Sequence, residues 1–122
     1  MTIPDSVTSI GSYAFDDCSA LTIFTEWLAA PSGWHSDWNS SNCTVVWGYI
    51  DQGVTDNGIK WVEAEDGVYV IGYTGTENDV VIPDKINGTT VIVISDRAFY
   101  NNVTITSVVI PDSVTSIGSY AF

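Results

Sequence analysis

Residues 3–15, reading Ile-Pro-Asp-Ser-Val-Thr-Ser-Ile-Gly-Ser-Tyr-Ala-Phe, recur unchanged as residues 110–122, an offset of 107. No other feature constrains the fold as much. A stretch this short cannot bury its apolar side alone; it needs a neighbouring copy stacked against it, which is the logic of a solenoid. The sequence is therefore expected to be a slice of a repeat array. The offset suggests a parent carrying the whole unit in tandem, and like ends are expected to meet head to tail.

The repeat has finer structure. Ala98-Phe99 and Ala121-Phe122 lie 23 residues apart. In the last copy Ile105, Val108, Ile110, Val114, Ile117, Ala121 and Phe122 mark an apolar frame punctuated by Pro111-Asp112 and Gly118. The preceding copy carries Ile82, Val91, Ile94, Ala98 and Phe99, with an insert holding Asn87-Gly88, a tight-turn dipeptide. The first copy reads Ile3, Val7, Ile10, Ala14, Phe15, Cys18, Leu21 and Phe24. Runs such as 104–110 are β-branched and suit half-buried strands, and Pro111 should end that strand. Two short strands per repeat with tight turns and little helix are expected.

Residues 26–43 break the pattern with a turn-rich segment carrying Trp27, Trp34 and Trp38. Strand signals return at 44–50, 58–63 and 67–73, joined by Asn57-Gly58 and Asp66-Gly67, and read as a small antiparallel meander. The expected organisation is a repeat segment at 1–25, a Trp-rich turn segment at 26–43, a meander at 44–78 and a second repeat segment at 79–122.

The Ile-Pro…Ile-Gly…Ala-Phe pattern resembles the BspA-like leucine-rich repeat. It is matched nearly position by position by residues 3–21 and again by 105–122; the 82–105 copy departs through the Asn87-Gly88 insert and through Asp96 in place of the glycine. Residues 31–49 look like the tryptophan-rich element that often follows such repeats, and 72–88 like the element that opens a fresh run. The resemblance implies an all-β protein in which leucine-rich-repeat solenoid segments flank the meander. It also implies a surface or secreted protein used in adhesion and protein binding, with no catalytic residues and no cofactor.

Several residues invite a chemical reading. Trp27, Trp34 and Trp38 are candidates for stacking on sugar rings or anchoring a protein partner; the competing reading is that they plug the repeat core where its pattern stops. Cys18 and Cys43 could form a disulfide. Yet Cys18 aligns with Asn102, each three residues after Ala-Phe, which favours an inward structural thiol beside an inward Asn102. Two cysteines and His35 are too few for a zinc site. His35, Ser36 and Asp37 are adjacent and do not assemble a hydrolytic triad. Trp47 and Trp61 fall within strand patterns. The sequons at Asn39, Asn42, Asn87 and Asn102 matter only if the source glycosylates secreted proteins.

Charge excludes some partners. Fifteen acidic residues face Lys60, Lys85 and Arg97, for a net charge of −12. A nucleic-acid backbone or an anionic membrane surface would be repelled. The acids are dispersed, as on a solubilising surface. Asp16-Asp17 and Glu63, Glu65 and Asp66 lack the ligand spacing of a calcium loop. No apolar run approaches the ~20 residues of a membrane span, and residues 1–4 show no signal-peptide pattern. The expected function is a non-enzymatic extracellular module for adhesion or protein binding. Alternatives are a structural subunit stacking into a fibre and a carbohydrate-binding module using the tryptophans. The ligand, protein or glycan, is not named by the sequence.

Overall fold

Short β-branched runs separated by Pro, Gly and Asn-rich turns produce eleven strands of two to seven residues and no α-helix in the computed structural model, which describes all of residues 1–122. The chain divides into two compact units, Met1–Tyr49 and Ile50–Phe122.

In the first unit β1 (Thr2–Ile3), β2 (Thr22–Thr25) and β3 (Thr44–Trp47) form a parallel sheet in that order, with Thr2 opposite Phe24 and Thr22 opposite Thr44. A further parallel bridge joins Ile10 to Trp34. Each circuit of the chain is thus one rung laid beside the next. Closeness matters at Gly33, where an added Cβ would collide with the Thr8 carbonyl oxygen. Ile3, Ile10, Ile23, Trp34, Trp38 and Cys43 form the core, with Val7, Phe15, Leu21, Trp27 and Trp47 packed against it. The expected strand at 44–50 is interrupted by Gly48, whose φ of 75° only glycine adopts readily. As a result β3 closes the repeat sheet, and the boundary expected between residues 43 and 44 falls after Tyr49.

β4 (Tyr49–Val54) starts at that boundary and leads into the second unit. It borders β5 (Ile59–Ala64), which pairs antiparallel with β6 (Gly67–Tyr73). The repeat then builds onto β6. β9 (Thr89–Ile94) lies parallel to it, and β11 (Ser116–Ile117) lies parallel to β9. On a second face β7 (Asp79–Val81) pairs in parallel with β10 (Ser107–Val109). The insert forms a hairpin of β8 (Lys85–Ile86) with β9. Its Asn87 and Gly88 both have positive φ, 52° and 79°, as the favoured two-residue turn requires. The core joins meander and repeat residues, among them Ile59, Val70, Val80, Ile94 and Phe99.

The expected repeat-core residues fall into three groups. Ile10, Ile94, Ala98 and Phe99 are buried. Val7, Phe15, Leu21, Asn102, Ile105, Val108 and Val114 are half-buried. Ala14, Cys18, Ile110, Ile117 and Phe122 are exposed, against expectation. The reason is directional. Ala14 faces the side of segment 3–15 where its unit has no rung, whereas its counterpart Ala121 is buried against the rung before it. Ile110, Ile117 and Phe122 face the opposite side, again where their unit has no rung.

One backbone device recurs. Tyr13, Arg97 and Tyr120 precede the Ala-Phe pairs and all adopt left-handed φ of 54–57°; four residues after Tyr13 and Arg97, Asp17 and Asn101 do the same. Bulky side chains seldom accept this conformation, so the turn is imposed by the stacking of the rungs.

Candidate functional site

The three tryptophans of the turn segment are brought together, but inside the first unit. Trp34 and Trp38 lie 4.8 Å apart in an edge-to-face pair, and Trp47 and Phe15 complete the cluster. Trp34 is only 6% exposed. Both Trp27 Nε1 and Trp34 Nε1 donate to the Val7 carbonyl oxygen, at 3.0 and 3.1 Å. Their ring faces are spent on the core, so Trp34 and Trp38 offer no surface to a sugar or a partner. Trp27 is half-buried with its polar edge occupied. Burial of Trp34 and Trp38 matches the plug reading and leaves Trp27 as the one tryptophan of the segment with an accessible part.

Asn102 and Cys18 occupy equivalent positions with unlike results. Asn102 Oδ1 accepts from Thr104 N, Thr104 Oγ1 and Ile105 N, each at 3.0 Å, and so closes its turn with the side chain. A thiol is a poor acceptor. In the first unit Leu21, the counterpart of Ile105, donates instead to the backbone oxygen of Cys18, and the Cys18 side chain turns outward. The inward thiol is Cys43, whose Sγ donates to Cys18 O at 3.0 Å. Both cysteines are free thiols.

The remaining candidates do not converge. His35 is exposed, and its Nδ1 accepts from Asp37 N at 3.1 Å; no hydroxyl is poised against it. The acids are scattered over turns, and no three His, Cys, Asp or Glu side chains gather as a metal site would need. The phenol of Tyr69 has its pKa raised by burial, and further by the Asp66 carboxylate that accepts its hydrogen bond at 2.7 Å. Of the sequons, Asn39 is committed to Cys43, donating to its carbonyl and accepting from its N–H, while Asn42 and Asn87 are exposed.

Two surface features of the second unit stand out. The Arg97 guanidinium lies 5.7 Å from the Tyr100 ring and 5.2 Å from the Tyr120 ring, and the two rings meet edge to face. All three side chains are exposed. The clue was in the repeat itself: Arg97 and Tyr120 occupy the same repeat position, so successive rungs place them side by side. The second feature is a groove of about 230 Å³ lined by Phe99, Asn102, Ile105, Thr106, Val108 and Phe122, on the side of segment 110–122 that carries no rung.

Parallel rungs, a glycine or polar residue at each tight turn and an apolar ladder inside define a β-rich repeat protein of the solenoid class. The family model of the BspA type leucine-rich repeat region matches residues 1–26 and 78–122, in six copies. The chain belongs to this family. No curated protein matches it. Among solved structures it is similar to the crystal structure of a leucine-rich cell surface protein from Faecalibacterium prausnitzii A2-165, at 25% identity and a TM-score of 0.50. That likeness covers 99% of this chain and 38% of the other, so the chain corresponds to well under half of that protein's length.

Proposed function

We propose that the chain is a non-enzymatic, extracellular recognition module that binds protein partners in adhesion. The observation that carries this reading is the exposed Tyr100–Arg97–Tyr120 cluster on a repeat whose structural relative is a cell surface protein. Tyrosine and arginine are, with tryptophan, the side chains enriched among those that dominate binding energy at protein interfaces. Here the ring–guanidinium contacts hold them in place before a partner arrives, which lowers the entropy lost on binding. Carboxylates around the rest of the surface favour a partner carrying basic groups.

The test is binding of the chain to a panel of immobilised extracellular glycoproteins and their deglycosylated forms. Arg97→Ala and Tyr120→Ala should each weaken capture by roughly tenfold or more while leaving the melting temperature nearly unchanged. Capture that ignores both substitutions refutes the site. Capture lost only on deglycosylation would transfer the reading to glycans.

A further inference from the structure

The meander carries a groove of its own, in the second unit. It measures about 430 Å³ and runs over β4, β5 and β6, lined by Gln52, Gly53, Val54, Lys60, Trp61 and Ile71. All six lie between the two stretches that match the repeat family, so the repeat explains none of them. Two glycines shape the groove. A Cβ at Gly53 would stand 2.7 Å from Trp61 Cζ2 and 3.3 Å from Trp61 Nε1, so the indole lies directly against the bare backbone of β4. A Cβ at Gly72 would stand 3.2 Å from Lys60 Cδ, so the lysine stem lies against β6 in the same manner. The register of β5 against β6 shifts between Lys60 and Trp61 and skips Ile71. Such a bulge bends a strand and re-aims its side chains, which lets neighbours that ordinarily face opposite ways line one groove.

Two donors in this groove are unspent. Trp27 and Trp34 give their indole N–H groups to Val7 O. Trp61 is only 6% exposed, yet its Nε1 has no acceptor in the chain and is not sealed from solvent. An indole N–H held at that depth ordinarily has a partner. Lys60 is one of three cations among fifteen acidic residues, and still it forms no ion pair. The other two are placed differently: Arg97 is held by two rings, and Lys85 stands exposed in the β8–β9 hairpin. No carboxylate lines the groove, and Val54 and Ile71 give it apolar walls.

The geometry points to a binding site for a single carboxylate carried on a compact apolar body. The Lys60 ammonium pairs with the carboxylate, the Trp61 indole N–H donates to one of its oxygens, and the body packs against Val54 and Ile71. The volume suits a ligand or ligand end of that size. Charge selects the same class. A lone carboxylate gains an ammonium and a directed donor, whereas a polyanion must also meet the field of a chain at −12. Two sources supply this chemistry: a free branched carboxylic acid, and the apolar C-terminal residue of a polypeptide. The Gln52 amide offers a hydrogen bond to the peptide group that only the second source carries.

NMR titration of the isotope-labelled full chain tests this through its backbone and indole N–H shifts. The probes are isocaproate for the free acid, acetyl-Gly-Gly-Leu for the polypeptide end, and the uncharged amide of each. At least one acid should bind with an affinity of tens of millimolar or better, with its largest shifts at Trp61 Nε1–H and the Gly53 amide. The tighter of the two acids names the source. Its uncharged amide should bind at least about tenfold more weakly, and so should the acid itself on Lys60→Gln. That substitution changes an exposed side chain without an ion pair and should leave the melting temperature unmoved. Lys85→Gln removes the same charge elsewhere and should leave the affinity within about twofold. The proposal is overturned if neither acid moves the Trp61 and Gly53 resonances, if the uncharged amide binds as well as its acid, or if Lys60→Gln and Lys85→Gln act alike.

Discussion

Replacing Trp34 by alanine separates a structural plug from a binding surface more sharply than any other single change. The side chain is 6% exposed and packs against Trp38 and Trp47, and its indole donates to Val7 O. A tryptophan buries roughly 150–250 Å², which at about 25 cal/mol per Å² gives an upper bound of ~4–6 kcal/mol. Large-to-small aromatic substitutions in cores cost about 3–5 kcal/mol. The hydrogen bond adds little, because Trp27 still donates to Val7 O and no acceptor is orphaned. The first unit ends at Tyr49; at roughly 0.05–0.15 kcal/mol per residue, a unit of that size has a stability of about 2–7 kcal/mol. Trp34→Ala should therefore remove most of it. The assay is hydrogen exchange resolved along the chain, alongside urea unfolding followed by tryptophan fluorescence. Protection should collapse across β1, β2 and β3 and persist in β5, β6 and β9. Trp34→Phe, which keeps a ring in the cluster, should lose only about 1–2 kcal/mol. A loss below about 1 kcal/mol for Trp34→Ala would refute the core assignment.

Three further outcomes are expected. Gly118→Ala should cost about 1–3 kcal/mol because the new methyl meets Asp96, while Gly11→Ala, with nothing within 4 Å of the new methyl, should change stability by no more than about 0.5 kcal/mol; thermal melts of the pair check this. Cys18→Asn should be tolerated and the wild-type melting temperature unmoved by reductant, whereas Cys43→Ser, at a buried thiol, should be measurably destabilising in the same melts. Tyr69 has its folded pKa raised above the unfolded value of about 10, so the native state holds the phenol proton more tightly. That contribution is fully present below the unfolded pKa and is lost as pH rises through the folded one. Urea midpoints should fall above about pH 10 in wild type and fall less in Tyr69→Phe.

How far the sequence revealed this structure depended on the kind of information each residue carried. The β-branched runs, the Asp66-Gly67 and Asn57-Gly58 turns and the Asn87-Gly88 hairpin were legible because they are local and rest on backbone preference. The allegiance of β3 was not. A run such as 44–47 carries no mark of whether its partner will be parallel or antiparallel, and Gly48 reads equally well as a strand residue or a break. The exposure of Ile110, Ile117 and Ala14 was hidden for another reason. Apolar periodicity says which side chains point inward, but burial also requires a neighbouring rung, and position in the stack is not written in the repeat. Cys18 misled because Asn and Cys share a repeat position by size, while only the amide can accept the turn's N–H groups. The Tyr100–Arg97–Tyr120 cluster was within reach, since the repeat offset alone puts Arg97 beside Tyr120.

Identical residues with unlike exposure act as an internal control on what holds the rungs together. Ile10 and Ile117 share sequence neighbours, backbone bridge type and the turn that follows, so propensity cannot explain why one is 9% and the other 51% exposed. The difference lies in what the next rung brings. Beyond Ile10 stand Trp34 and Trp38; beyond Ile117 its unit has no rung. The rung that replaces an ordinary repeat with tryptophans is thus what completes the burial of segment 3–15, and it does so with rings large enough to cover a face that a run of Ile and Val could cover only with a further rung behind them. By that reasoning Trp34→Ala should raise the solvent exposure of Ile10 toward that of Ile117, and backbone amide exchange at Ile10, expected to be slower than at Ile117 in wild type, should approach that at Ile117 in the variant. Unequal protection that persists after the tryptophan is removed would mean that another part of the first unit, and not the indole cluster, covers the segment.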